Sequence, residues 1–176
     1  QQRLGCRHGR HRNGRSFQKD LRAPMQERRR AREFALQVLY GMDLQDRNVS
    51  EILDFFWSIL ENHEDLGKKL PRDEGAKQFA LHLVQGTWEN IDQIDGIIRN
   101  YSEHWSLERM SRVDRSILRM AVYELLFCED IPPKVSLNEA IDLGKLYGSE
   151  NSGAFINGIL DALYLDKLAK NPAKNP

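Results

Sequence analysis

From Gln26 onward, apolar residues recur three and four positions apart, and no Val/Ile/Thr-rich run alternates apolar with polar residues between hairpin turns. A period near 3.6 places one apolar stripe along a helix, whereas a strand requires a period of two. The chain therefore reads as all-α. A first helix is expected over about 26–45, with Ala31, Phe34, Ala35, Val38, Leu39 and Met42 on its buried stripe. A second follows Ser50 and carries Ile52, Leu53, Phe55, Phe56, Ile59 and Leu60, and the polar stretch from Asn62 to Arg72 connects it to the next. The third holds Ala76, Phe79, Ala80, Leu83 and Val84, with Gly86 expected to end or bend it.

A fourth helix carries Ile91, Ile94, Ile98 and Tyr101, and Trp105-Ser106-Leu107 leads into a long fifth helix reaching Phe127. Pro132-Pro133 breaks the pattern, because proline lacks a backbone donor and restricts the residue before it. Ser136-x-x-Glu139 then matches a capping box for a sixth helix, which Gly148 would stop. The seventh runs from about Ser152 to Leu165 and buries Phe155, Ile156, Ile159, Leu160 and Leu163. Seven helices joined by short loops suggest a compact fold of two packed helical bundles.

A length of 176 residues suits one domain or two small subdomains sharing a core. The helical domain is expected over 25–166. Residues 1–24 have scattered arginines and almost no apolar periodicity, and they read as a disordered basic extension or a non-native leader ahead of Met25. Residues 167–176 read as a flexible tail. No stretch approaches the roughly 20 apolar residues of a membrane helix. Cys6 and Cys128 match neither a disulfide framework nor metal-ligand spacing, so a reducing, cytoplasmic setting is expected. The histidines form no HExxH pattern, and neither a Walker loop, a Gly-x-Gly-x-x-Gly loop nor a nucleophile elbow occurs. Catalytic residues, cofactor and metal are all expected to be absent. Acidic pairs such as Asp92/Asp95 and Asp73/Glu74 fall on helix faces or starts, where solvation or the helix dipole accounts for them.

Charge is distributed unevenly. Residues 1–32 hold eleven Arg/Lys against Asp20 and Glu27, a balance of +9, and residues 33–176 hold fifteen against twenty-four acids, a balance of −9. Arg28, Arg29, Arg30 and Arg32 stand in the first turns of a helix, where cations oppose the helix dipole at typically about 0.3–1 kcal/mol each. Stability alone does not favour them there, and an anionic ligand would reverse the sign. At about 100° per residue, Arg29 and Arg32 project farthest from the apolar stripe, with Arg28 and Arg30 flanking it, so a cationic fan toward solvent is expected. A solvated basic helix start remains the plain alternative. Tyr40 and Phe155 are candidate stacking residues; Tyr40 reads equally as a partner-contacting or a half-buried residue, and Phe155, which begins an apolar stripe, reads more readily as core than as a platform. Arg112, Arg115 and Arg119 form a second basic row, readable as a wider nucleic-acid surface or as the wet face of the fifth helix.

Four segments, RRRAREFALQVLY (28–40), VDRSILRMAVYEL (113–125), IPPKVSLNEAIDLGKLYG (131–148) and SGAFINGILD (152–161), resemble the NusB transcription antitermination family in that family's order. The resemblance extends over about 26–165. It implies a seven-helix, non-enzymatic protein that pairs with the ribosomal protein NusE, binds single-stranded boxA RNA of ribosomal RNA leaders, and joins the RNA polymerase antitermination complex, with homodimers known in some members. By motif position it implies RNA-binding roles for Arg28, Arg29, Arg30, Arg32 and Phe155, and places Tyr40 and Asp114 on the NusE or RNA surface. Family members often carry Asp before the serine that opens the last helix. Here Asn151 stands there, which removes a negative charge beside the expected RNA path. A protein-interaction bundle with incidental arginines is one alternative. The other is a helical domain related to those that precede catalysis in rRNA cytosine methyltransferases, but an α/β cofactor domain is not encoded in these 176 residues.

Overall fold

A computed structural model describes residues 25–44, 51, 54, 73–102 and 105–170, with side chains through 167. All its regular structure is helical: α1 (Met25–Leu44), α2 (Glu74–Glu89), α3 (Ile91–Tyr101), a 3₁₀ turn (Leu107–Arg109), α4 (Arg112–Phe127), α5 (Pro133–Tyr147) and α6 (Ser152–Lys170). Six α-helices thus stand among the described residues. The second helix expected from the sequence falls almost wholly on 45–72, outside them apart from Glu51 and Asp54, which are helical. The expected extension at 1–24 and the end of the expected tail, 171–176, also lie outside, whereas α6 carries the helix on to Lys170.

The center of the fold is α4, which touches each of the other five helices. From Ser116 to Leu125 every residue of it is buried, including Arg119 and Glu124. A helix buried on its whole circumference can serve as the axis of a small domain. On one side α1 packs against α2, on the other α5 packs against α6, and both pairs share α4. This realises the expected two bundles around one core, in which Phe79, Leu83, Ile94, Ile98, Ile117, Leu118, Leu143, Ile156 and Leu160 are fully buried.

Local chemistry explains the helix ends, and in three places it departs from the sequence expectation. Asp73 caps α2 by accepting from the Ala76 amide at 3.0 Å. Gly86 does not end that helix, which runs on to Glu89: a Cβ there would lie 2.0 Å from Cζ of Tyr123, so the glycine is where the α4 ring crosses α2. Trp105-Ser106-Leu107 does not run straight into α4, because a 3₁₀ turn intervenes and Ser111 caps α4 by accepting from the Asp114 amide at 3.0 Å. The Ser136-x-x-Glu139 box does not open α5. Pro133, whose ring presets a helical φ and whose missing N–H is no loss in the first turn, starts the helix one turn earlier. The Ser136 hydroxyl instead donates to Glu124 Oε2 at 2.8 Å.

Candidate nucleic-acid interface

The arginine-rich start of α1 is not a bare cationic fan. Arg32 is only 2% exposed, and its Nε and Nη2 donate to the two carboxylate oxygens of Glu124 at 2.7 and 2.8 Å. Its guanidinium also lies 5.2 Å from the Phe79 ring centroid. Burial works against the charge of Arg32, but the hydrogen bonds and charge of Glu124 outweigh it and raise the pKa. The expectation that Arg32 projects to solvent therefore fails. On α1 alone Arg32 points away from the apolar stripe, but α4 and α2 close over that side.

The other three arginines stand at the surface, each beside a carboxylate. Arg28 lies 3.7 Å from Asp130, Arg29 lies 3.4 Å from Asp142 and 3.8 Å from Glu33, and Arg30 donates to Glu27 at 2.5 Å. Four arginines thus meet five carboxylates once Glu124 is included. Arg115 and Arg119 of the second basic row are likewise occupied. Both bond Asp43 at the end of α1, and Arg119 also chelates Asp95 with two contacts of 2.7 Å. They clamp α1, α3 and α4 together and are not that helix's wet face.

From Glu33 the surface continues into an apolar groove of ≈ 220 Å³ between α1, the start of α4 and the end of α5, lined by Leu36, Tyr40, Val113 and Tyr147. Tyr40 is 36% exposed. Burial, then the charge and hydrogen bonding of Glu33, raise the Tyr147 pKa, so that phenol stays neutral near pH 7.

Asp114, next to Val113 in sequence, and Ser149, two residues beyond Tyr147, line a second hollow, of ≈ 250 Å³, where the 3₁₀ turn and the first turns of α4 and α6 meet. Asp114, Asn151 and Phe155, all expected at the site, line it together with Trp105, Arg109 and Ser152. Trp105 is 54% exposed and meets Phe155 edge to face, with ring centroids 6.3 Å apart. Asp114 is only 7% exposed, and its Oδ1 is buried with no hydrogen-bond partner. Arg109 is exposed and, among the described residues, is the one arginine with no carboxylate within 4.0 Å. Trp105 and Arg109 were not among the expected site residues. A tryptophan in a polar segment between two helices was the available signal.

Comparison with known proteins shows the family. The profile of the NusB family matches residues 29–165. The chain belongs to the NusB family. A transcription antitermination protein NusB of Syntrophus aciditrophicus is 54% identical over 147 residues, covering 84% of this chain and 85% of that protein. A NusB of Myxococcus xanthus is 44% identical over 78% of this chain and 94% of its own. Among solved structures, T. maritima NusB superposes with a TM-score of 0.67 at 40% identity, covering 82% of this chain and 92% of that one. A chain from a crystal structure of the antitermination factors NusB and NusE in complex with dsRNA gives a TM-score of 0.66 at 33% identity, covering 81% and 99%. Within this NusB fold, Arg29, Tyr40, Asp114, Asn151 and Phe155 lie along one run of surface, from the start of α1 through the groove to the hollow, while Arg32 lies beneath it.

Proposed function

We propose that this chain is a transcription antitermination factor that binds boxA-type single-stranded RNA of ribosomal RNA leaders together with NusE, within the RNA polymerase antitermination complex, without catalysing a reaction. The observation that carries the reading is the family match over 29–165, and structures of relatives that contain NusE and RNA support it. Arg28, Arg29 and Arg30 attract the phosphates, and the hollow around Phe155 and Asn151 holds bases. Arg32 contributes by fixing the N-terminal half of α1 on α4 and not by touching RNA. Tyr40 and the apolar groove around it suit a protein partner, since a wall of Leu36, Val113 and two tyrosines offers area and few charges. Asp114, assigned by resemblance to the NusE or RNA surface, belongs with the RNA hollow that it lines.

The test is titration of boxA RNA and a scrambled RNA, with and without NusE, across salt. Binding should weaken with a log–log slope of about −0.7 per phosphate contacted on a single strand. Replacing Arg29 and Arg30 together should make that slope shallower. Equal affinity for boxA and scrambled RNA in the presence of NusE would refute the reading.

A further inference from the structure

The hollow at the start of α4 combines features that rarely coincide without a ligand. Its carboxylate, Asp114, is more than nine-tenths buried, and Oδ1 receives no hydrogen bond. Buried polar groups are nearly always satisfied, so a donor is missing there. Its guanidinium, Arg109, has no acidic partner among the described residues, although every other arginine of these residues has one within 4.0 Å. Its indole, Trp105, leaves half of a large apolar surface open to water beside the Phe155 ring. Donor-seeking carboxylate, unpaired cation and open aromatic face complement the three parts of a nucleotide: base edge, phosphate and base plane.

We propose that this hollow takes one unpaired nucleotide of the bound RNA, with its base stacked on Trp105, its edge read by the Asp114 carboxylate, and its phosphate held by Arg109. This rests on the RNA-binding reading above and goes further by assigning Trp105 and Arg109 and by specifying the base. A carboxylate only accepts, so it favours an edge that carries an amino group and opposes the carbonyl-flanked edge of uracil. The volume of ≈ 250 Å³ is enough for one base. Asn151 at the rim, uncharged, leaves Asp114 as the hollow's acidic side chain.

The experiment is a coupling scan on the full chain with a boxA RNA in which each base in turn is made abasic. At one position the abasic change should weaken wild-type binding about tenfold, and Trp105→Ala should weaken intact RNA by a similar factor. Applied together, the two should cost little more than either alone. At that same position, replacing an amino-bearing base by uracil should weaken wild type several-fold and Asp114→Asn much less. Arg109→Gln should lower the salt slope by about one phosphate contact, roughly 0.7. Unfolding midpoints close to wild type show that these losses are not misfolding. Wild-type binding with no coupled position in Trp105→Ala, or a Trp105→Ala defect confined to NusE affinity in the absence of RNA, overturns the proposal and leaves the RNA-binding reading standing. No binding of any boxA RNA by wild type overturns both.

Discussion

The start of α1 and the hollow at the start of α4 are both arginine-bearing and both predicted to meet RNA, yet their electrostatics are opposite. On α1 every guanidinium already faces a carboxylate, one of them deep in the core. In the hollow, Arg109 has none among the described residues, and Asp114 Oδ1 has no donor among them. Arginine count therefore says little about where binding energy resides. RNA that docks on α1 competes with Asp130, Asp142, Glu33 and Glu27, so the gain per contact there is a difference between two ion pairs. RNA that docks in the hollow satisfies groups that otherwise remain unsatisfied.

Substitutions that break this contrast should differ in kind. The largest effect belongs to the buried pair. Glu124→Ala strands Arg32 in the core and leaves the Ser136 hydroxyl without its acceptor, and it should cost about 3–5 kcal/mol in denaturant unfolding. Gly86→Ala, which drives a methyl into the Tyr123 ring, should cost about 1–3 kcal/mol in the same measurement. A loss under about 0.5 kcal/mol in either would mean that α4 is not the axis described. At the rim of the hollow, Asn151→Asp should weaken boxA binding by restoring a negative charge near phosphate, and unchanged affinity would move the RNA path elsewhere. The smallest effect is expected on α1. Asp142→Asn removes one of the two carboxylates beside Arg29, an exposed pair worth at most about 1 kcal/mol, and leaves Glu33, so it should raise affinity for any RNA by no more than a few-fold, read by titration at low salt.

Acid stability sharpens the comparison further. Burial disfavours the Asp43 carboxylate, but the hydrogen bonds and charges of Arg115 and Arg119 outweigh burial and hold its pKa below the usual carboxylate value. Because the folded pKa lies below the unfolded one, the stabilisation is complete above about pH 4 and is lost as the pH falls through the folded value. Asp43→Asn should therefore destabilise the protein at pH 7, with the difference from wild type narrowing as the medium becomes strongly acidic. A constant difference would show that the clamp does not act through charge.

Much of the fold could be read from apolar spacing alone, since each stripe residue named for α1, from Ala31 to Met42, is buried. What escaped were long-range matches. Arg32 lies 92 residues from Glu124, and nothing within α1 distinguishes it from Arg29. The capping-box signature at Ser136 was outcompeted by a neighbouring proline, and the hydroxyl went to a core carboxylate. The site was half legible. Motif position singled out Phe155, Asn151 and Asp114, but only the fold brings Trp105 and Arg109 to the same hollow, because the irregular segment at Trp105 and the 3₁₀ turn ending at Arg109 have no periodic signal.

The most direct test compares the ratio of boxA to scrambled-RNA affinity, over a range of salt, in Arg29→Gln/Arg30→Gln and in Trp105→Ala/Arg109→Gln. The α1 double variant should weaken both RNAs alike and preserve the ratio, whereas the hollow double variant should bring the ratio toward one. A ratio lost with the α1 arginines and kept without Trp105 and Arg109 would contradict the division of labour drawn here.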